Sequence, residues 1–384
     1  MHQSGVVCVI VRSRVNRLFT PLVSTAQVQS QRLLNPSGAF WCGRRVLVVG
    51  NTGFKGAWLS LWLHRMGANV VGLALPPPTE PSLYDLAGLG ALVPTDIADI
   101  RNLSAVYATI RRSEPEIVFH LAAQAIVRRG YLEPLETFAT NVMGTVHVLE
   151  AIRTATSVRC AVVVTSDKCY ENREWPWAYR EVDPLGGSDP YSSSKGCAEL
   201  VAAAYRQSYL PAVATARAGN VIGGGDWAED RLLPDCIRAL TAAEPIAIRN
   251  PHAVRPWQHV LEPLCGYLLL AERLHGGPDQ FGEAWNFGPP DDNARSVGWL
   301  ASFITNEWGE GASWRDASCD DLHEASALKV DASRARAKLG WAPRLTLPDA
   351  LRWSIEWYRR LARGEAAMAI SDEQLARYCA MGAT

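Results

Sequence analysis

The sequence lacks an excess of charge of either sign, because 38 lysines and arginines are balanced by 39 aspartates and glutamates. A basic surface for nucleic acid is therefore not expected, and any anion that binds must be held by local groups. Long apolar runs are missing as well. The longest one near the start, residues 6–11, is far shorter than the ~20 residues of a membrane-spanning helix, so we expect no membrane segment.

Closely spaced cysteines are also missing. Nine cysteines are scattered along the chain, and none stands in a C-x-x-C pair. Structural zinc sites usually take their thiolates from such pairs, so we expect no metal. An odd number of cysteines without a disulfide framework is typical of a reducing compartment, which favours the cytoplasm.

Acidic residues are absent from positions 1–45, which contain six arginines. This composition is that of a transit peptide. The alternative, which we favour, is a start codon assigned too far upstream or a leader without defined structure. We expect residues 1–43 to form a disordered N-terminal extension.

From Arg45 onward, short β-branched runs alternate with helical segments. Such alternation indicates an α/β fold, a Rossmann-type doubly wound parallel sheet with a smaller mixed C-terminal lobe. We predict a dinucleotide-binding domain over residues 44–216 and a nucleotide-sugar lobe over 217–370, some segments of which return to the first domain. Residues 371–384 would be a C-terminal tail. The predicted strands of the first domain are Val46–Val49, Asn69–Leu75, Ile117–Leu121, Ala161–Thr165 and Ala212–Ala216.

A glycine turn follows the first predicted strand directly and opens a helix. Glycines allow the backbone to turn tightly and approach a pyrophosphate, which then lies at the helix N-terminus. An ordinary strand-to-helix turn has the same composition, but the position after the first strand of an α/β pattern favours a cofactor site. The candidate cofactor-binding residues here are Gly50, Thr52, Gly53, Phe54, Lys55 and Gly56.

Tyr191 and Lys195 stand four residues apart on a predicted helix, and therefore on one face of it. An ammonium near the phenol favours the phenolate, which would lower the tyrosine pKa and make Tyr191 a base for a sugar hydroxyl. Such a pair also occurs by chance on solvent-exposed helices. Ser166, however, follows a predicted strand at the sheet edge where this fold class binds its ligands.

Together with the glycine turn, Ser166, Tyr191 and Lys195 resemble the extended short-chain dehydrogenase/reductase family. Asp99 and Ile100 look like its adenine-contacting acidic turn, and Ala122-Ala123-Gln124 looks like its small-residue cofactor loop. The resemblance covers roughly residues 40–370 and implies that NAD is the cofactor.

Four longer strings narrow the resemblance to the CDP-glucose 4,6-dehydratases. They are Asn51–Leu59, Thr165–Tyr170, Arg217–Trp227 and Arg255–Val260. That family converts CDP-D-glucose to CDP-4-dehydro-6-deoxy-D-glucose, a precursor of deoxysugars in bacterial surface polysaccharides such as O-antigen. The resemblance also implies a homodimer, paired through helices 102–113 and 134–153.

A sugar 4,6-dehydratase must oxidise C4, remove the C5 proton, expel the C6 hydroxyl and return the hydride to C6. Tyr191 would accept the proton of the C4 hydroxyl, and Ser166 would hydrogen-bond the same oxygen. Asp167, in its protonated form, would be the acid at C6. Lys168 would stand where most sugar dehydratases carry the glutamate base for C5, which requires a lowered lysine pKa. The alternative is a solvated Asp–Lys pair beside a turn.

The candidate substrate ligands lie after the last predicted strand of the first domain. Guanidinium groups match phosphate oxygens, so Arg217 and Arg255 are candidate clamps for the diphosphate, and ion pairing elsewhere is the alternative for each. Asn220 could donate to the diphosphate. Trp257 and His259 belong either to the substrate pocket or to the core.

One expected residue is missing. Leu75-Pro76-Pro77 stands where an acidic side chain would bind the ribose 2′-hydroxyl of NAD, and no arginine for a 2′-phosphate replaces it. NAD is therefore implied by the resemblance alone, and its affinity could be weak.

Two other functions fit the fold, a nucleotide-sugar epimerase or reductase and a redox-sensing protein without turnover. Asp167 and Lys168 argue against the first, and Tyr191 with Lys195 argues against the second.

Overall fold

The computed structural model describes residues 34–210, 212–309, 311–318 and 328–382. Its strands, in chain order, are β1 (Arg45–Val49), β2 (Asn69–Ala74), β3 (Thr95–Ile97), β4 (Ile117–His120), β5 (Cys160–Val164), β6 (Val213–Arg217), β7 (Val221–Ile222), β8 (Ile246–Ile248), β9 (Val254–Pro256), β10 (Gln258–His259), β11 (Ala284–Asn286), β12 (Ala294–Ser296) and β13 (Trp314–Asp316).

The α-helices are α1 (Gly38–Trp41), α2 (Phe54–Arg65), α3 (Leu83–Leu86), α4 (Leu103–Ser113), α5 (Val127–Leu132), α6 (Pro134–Phe138), α7 (Gly144–Arg153), α8 (Pro190–Ser208), α9 (Leu232–Thr241), α10 (Leu261–Gly276), α11 (Pro278–Phe281), α12 (Val297–Trp308), α13 (Leu347–Ala362) and α14 (Ala367–Met381). A π-helical segment, Ala139–Met143, joins α6 to α7 where one continuous helix was predicted.

A parallel sheet of seven strands, in the order β11-β6-β5-β4-β1-β2-β3, forms the centre. Its strands carry apolar side chains on both faces, because helices pack against each face of the sheet. In β1, Val46 and Val48 face the core around α2 and α10, whereas Leu47 and Val49 face the core that includes residues of α4, α7 and α8. The predicted doubly wound α/β class is confirmed.

The predicted second lobe does contribute to the first. Strand β11 pairs with β6 and extends the sheet, and α10 packs against β5. The remaining short strands form three two-stranded sheets beyond β6. Residues on both sides of the predicted division at residue 216 therefore belong to one sheet, and the division into two domains stays a prediction.

Two predictions about the chain ends are wrong for the residues that the structure describes. Trp41, in the predicted disordered extension, is fully buried and donates from Nε1 to Glu272 at 2.7 Å. Asn35 Nδ2 donates to the carbonyl of Cys379 at 2.8 Å. The predicted tail is helix α14, whose Ile370 and Tyr378 are buried. Residues 1–33, 383 and 384 lie outside the described part of the chain.

We expect Trp41→Ala to lower the free energy of unfolding by about 3–5 kcal/mol, because it leaves a cavity and removes one of the two hydrogen bonds that Glu272 Oε1 accepts. Chemical denaturation measures the change. Trp177→Ala is the matched control, since Trp177 is 68% exposed. Equal stability of the two variants would show that residues 34–43 contribute nothing to the fold.

Candidate active site

A cavity of about 880 Å³ opens at the carboxyl edge of the sheet, where the predicted site residues converge. Most of them line it. These are Gly50, Thr52, Gly53, Phe54, Lys55, Gly56, Ala123, Gln124, Ser166, Asp167, Lys168, Tyr191, Lys195, Asn220, Arg255 and Trp257. Five predicted residues do not line it, namely Asp99, Ile100, Ala122, Arg217 and His259.

The glycine turn has the tight geometry that a dinucleotide cradle needs. Gly50 has a φ of +93°, and a Cβ there would lie 2.6 Å from the backbone nitrogen of Ala122. A Cβ on Gly56 would lie 2.0 Å from the carbonyl oxygen of Gly50. These close approaches leave no room for a side chain at Gly50 or Gly56, and the turn brings the N-terminus of α2 to the cavity wall, which fits a diphosphate. Thr52 Oγ1 donates to the Leu75 carbonyl at 2.9 Å and ties the turn to the end of β2.

Asn141, which the sequence analysis missed, connects the predicted cofactor loop Ala122-Ala123-Gln124 to helix α8. Asn141 Oδ1 accepts from the Gln124 backbone at 2.8 Å, and its Nδ2 donates to the Gln124 carbonyl and to Ser194 Oγ. Asn141 lies in the π-helical segment, a geometry often found at functional sites. An asparagine within an otherwise apolar helical pattern was the available signal.

Tyr191, Lys195 and Glu199 share one face of α8. The Glu199 carboxylate accepts from Thr165 Oγ1 at 2.5 Å, from Thr215 Oγ1 at 2.7 Å and from Arg217 Nη2 at 2.7 Å. Burial raises the pKa of Glu199, but the charge of Arg217 and these hydrogen bonds outweigh burial, so the pKa is lowered. This carboxylate fixes α8 to β5 and β6.

The prediction that Arg217 binds the diphosphate is wrong. Its side chain is 3% exposed, pairs with Glu199, and also donates to Tyr170 Oη at 2.7 Å. A buried guanidinium held by a carboxylate cannot turn to a ligand without leaving that charge unpaired. Glu199 stands 18 positions earlier in the chain, which hides the pairing from a sequence pattern.

The expected lowering of the Tyr191 pKa by Lys195 is also wrong. Burial raises the pKa of Tyr191 to about 12, with the charges of Asp167 and Asp189 acting in the same direction, although Ser166 and Arg231 lower it. Lys195 is not one of the main causes of this shift. Burial lowers the pKa of Lys195 itself to about 8. Tyr191 is therefore protonated near neutral pH in this structure.

Ser166 and Asp167 follow β5 and are held together. Ser166 Oγ donates to Asp167 Oδ1 at 2.9 Å and accepts from the Lys168 backbone nitrogen at 3.2 Å. The Asp167 carboxylate lies against Gly219, where a Cβ would be 1.8 Å from Oδ2. Lys168 is half-buried at the cavity wall.

The basic side chains of Lys55 and Arg231 also line the cavity. Burial, followed by the charges of Arg231 and Lys195, lowers the pKa of Lys55 to about 8. Arg231, which directly precedes α9, pairs with Asp226 at 2.9 Å and also interacts with Tyr191. The sequence analysis missed Arg231, since an arginine before a helix carries no signal of its own.

Some of the residues predicted to bind the substrate line the cavity, and others do not. Arg255 and Trp257 are buried in the cavity wall, and Asn220 lies there with a φ of +46°. His259 is fully buried outside the cavity and packs edge-on against Trp353, with 5.8 Å between the ring centroids. Burial lowers the pKa of His259 to about 3. The prediction that His259 contacts substrate is wrong, and the core alternative holds.

The predicted adenine turn stays a prediction. Asp99 follows β3 at the carboxyl edge of the sheet, and its carboxylate pairs with Arg101. Ile100 is buried against Gly144.

Over the described ranges, no group of three or more His, Cys, Asp or Glu side chains is placed to hold a metal ion. No helix within those ranges is long and apolar enough to cross a membrane.

Comparison with known proteins now identifies the family. A family model described as "NAD dependent epimerase/dehydratase family" matches residues 46–288. The chain belongs to this family. Its members use NAD, and the glycine cradle described above fits that cofactor, so the chain is an NAD-dependent enzyme and the prediction of NAD is confirmed.

Curated relatives agree. The chain is 49% identical over 348 residues to CDP-glucose 4,6-dehydratase of Salmonella typhimurium, covering 88% of this chain and 97% of the relative. It is 31% identical over 246 residues to dTDP-glucose 4,6-dehydratase of Streptomyces griseus, covering 63% and 71%. The predicted resemblance to the CDP-glucose 4,6-dehydratases is confirmed.

Solved structures share the fold. The structure of dTDP-glucose 4,6-dehydratase from Streptomyces venezuelae with NAD has a TM-score of 0.72 at 24% identity, covering 82% of this chain and 97% of that one. A UDP-glucose 4-epimerase from Thermotoga maritima also has a TM-score of 0.72, at 20% identity and coverages of 83% and 99%.

Proposed function

We propose that the protein catalyses the 4,6-dehydration of CDP-D-glucose to CDP-4-dehydro-6-deoxy-D-glucose. One observation supports this best. Asp167 and Lys168 follow Ser166 directly and line one cavity with Tyr191 and Lys195. An epimerase of the same fold needs no acid and base beside the serine. The 49% identity to a CDP-glucose 4,6-dehydratase supports the cytidine nucleotide.

Each side chain has one task in this reaction. Tyr191, in its phenolate form, accepts the proton of the C4 hydroxyl, and Ser166 holds the same oxygen. Lys168 removes the C5 proton, and Asp167 protonates the departing C6 hydroxyl. NAD, held at the glycine turn of Gly50, Gly53 and Gly56, would supply the hydride acceptor and donor that this chemistry requires.

The cavity also supplies groups for the nucleotide. Arg255 and Arg231 are the guanidinium candidates for the diphosphate, and Asn220 is an amide donor beside them. Trp257 is 7% exposed in the same wall and offers an aromatic surface. We place the enzyme in the cytoplasm, in keeping with its scattered cysteines.

We also propose a homodimer, in which the paired face includes α5, α6 and α8. These three helices pack together, and their large apolar side chains Leu132, Leu135 and Leu200 are 80%, 86% and 60% exposed. Apolar patches of this kind usually mark an interface. Of the apolar residues on the predicted pairing helix 134–153, Val148 and Leu149 are buried within the chain, whereas Val142 and Val146 are half-buried.

We expect Tyr191→Phe to lower turnover of CDP-glucose by about 10²–10⁴-fold with little change in NAD binding, because it removes the proton acceptor at C4. The alkali-induced absorbance of the 4-keto sugar measures the product, with dTDP-, GDP- and UDP-glucose as competing substrates. Tyr209→Phe, at an exposed tyrosine that follows α8, is the control. Near-normal turnover in Tyr191→Phe would remove this residue from the mechanism.

Isotopes test Lys168. Deuterium at C4 of the substrate should appear at C6 of the product, and heavy water should place one deuterium at C5. Lys168→Ala should still oxidise C4 but stop before water is lost, because no base remains for C5. Lys168→Glu, which restores the base of other sugar dehydratases, should recover part of the rate. Full activity in Lys168→Ala, or loss of the C4 label to solvent, contradicts this assignment.

Sedimentation velocity tests the dimer. Leu135→Glu should shift the protein from dimer to monomer, because it places a charge in the apolar face. Leu92→Glu, at a half-exposed leucine remote from α5, α6 and α8, should leave the dimer intact. A monomeric unmodified protein at micromolar concentration would contradict the proposal.

A further inference from the structure

Arg249 and Asp230 form an ion pair in the wall of the cavity. Arg249 directly follows β8, and its Nη1 donates to Asp230 Oδ1 at 2.7 Å. Nε of Arg128, on helix α5, lies 3.6 Å from the same oxygen. All three side chains line the cavity. Within the part of the chain that the structure describes, no hydrogen bond uses Oδ2 of Asp230 or Nη2 of Arg249, so both groups keep bonding capacity for a ligand.

The pair lies beside the two guanidinium groups proposed for the diphosphate. Asp230 immediately precedes Arg231 in the chain, and a short turn leads from Arg249 to β9, which carries Arg255. The diphosphate of a nucleotide sugar joins the sugar to the nucleoside. The nucleoside must therefore lie next to the groups that hold the diphosphate.

The other parts of the cavity have occupants in the proposed reaction. The glycine turn and the end of β2 belong to the cofactor in this fold, and Tyr191 and Ser166 face the reacting glucose. The remaining wall consists of β8, the first turn of α9 and the start of α12, which contact one another. Its Leu233, Cys236 and Ile248 are buried apolar side chains, which suit the flat face of a base.

The hydrogen-bonding edge of cytosine differs from that of uracil and thymine. Cytosine carries a donor, its 4-amino group, beside the acceptors N3 and O2, whereas uracil and thymine carry the acceptor O4 beside the donor N3–H. A guanidinium only donates, and a carboxylate only accepts. Arg249 and Asp230 therefore match cytosine. Against uracil or thymine, the carboxylate would oppose O4 and the guanidinium would oppose N3–H.

We propose that Arg249 and Asp230 select the cytidine nucleotide: the guanidinium donates to N3 and O2 of cytosine, and the carboxylate accepts from its 4-amino group. This assignment rests on the proposed dehydratase function and deepens it, since sequence identity alone supported the cytidine nucleotide there. Arg128, which approaches Asp230 Oδ1 from α5, helps to hold the carboxylate in place.

Binding of free nucleotides to the enzyme with bound NAD tests the base contact without turnover. In isothermal titration calorimetry, the unmodified enzyme should bind CDP about 10–100-fold more tightly than UDP, because a two-point contact with a base edge discriminates by about that factor. Binding of dTDP should resemble that of UDP, since uracil and thymine present the same edge.

Two variants separate base recognition from attraction to phosphate. Arg249→Lys keeps the positive charge but loses the planar fork of donors, so the preference for CDP over UDP should fall by about tenfold. Asp230→Asn provides an amide that can donate to O4, so UDP binding should strengthen and the preference should fall by a similar factor. Asparagine also tolerates the left-handed backbone of Asp230, whose φ is +59°.

An ion pair of similar exposure provides the matched controls. Arg352 and Glu307 pair at 3.0 Å with 51% and 34% exposure, against 41% and 33% for Arg249 and Asp230, and neither lines the cavity. Arg352→Lys and Glu307→Gln should leave the preference for CDP unchanged. Retention of NAD, which binds at the glycine turn, checks that each variant is folded.

Steady-state kinetics give a second readout. The base is bound equally in the ground state and the transition state, so Arg249→Lys should raise KM for CDP-glucose with little change in kcat. The ratio of kcat/KM for CDP-glucose to that for UDP-glucose should fall by about tenfold, as the ratio of affinities does.

An equal loss of CDP, UDP and dTDP binding in Arg249→Lys would overturn the assignment and make Arg249 a phosphate ligand. An unchanged preference in both variants, or equal binding of CDP and UDP by the unmodified enzyme, would overturn it as well. An enzyme that prefers CDP in binding but does not convert CDP-glucose would contradict the proposed function and leave the base contact in place.

Discussion

The ion pair between Glu199 and Arg217 is the interaction on which the site depends. It is fully shielded from water, and it joins helix α8 to strands β5 and β6. Thr165, one of its donors, directly precedes Ser166, so the same contact sets the distance between the serine and the helix that carries Tyr191. Breaking such a buried pair on one side typically costs about 3–5 kcal/mol, which explains why both charges stay together in the interior.

Desolvation shifts the pKa values of Tyr191, Lys55 and Lys195 more strongly than nearby charges do. Tyr191 is kept neutral, and the amines of Lys55 and Lys195 are brought towards the physiological range, although carboxylates lie near. Two amines that share a confined space also repel each other's protons. The result is a site whose groups can exchange protons with small changes in free energy, as acid–base chemistry requires.

Sequence reasoning found the elements that have strong local patterns. The predicted sheet strands end within one residue of the observed ones, because their apolar runs are buried on both faces. Strands β3 and β11 were missed, since three residues are too few for a pattern. Most motif residues after strands lie at the cavity, but Asp99, Ile100, Ala122, Arg217 and His259 do not. Arg217 and His259 escaped prediction because the direction and partner of a side chain depend on contacts far away in the chain. Asn141 and Arg231 escaped for the same reason.

The contact between Asn35 and Cys379 joins residues 344 positions apart. During synthesis, helix α14 emerges long after the segment around Trp41, because Cys379 follows Asn35 by 344 positions. Until then Trp62 lacks the ring of Tyr378, which lies 5.8 Å from it in the folded protein. The nascent chain therefore carries an uncovered aromatic surface until helix α14 has been made, and such a surface favours aggregation and chaperone binding.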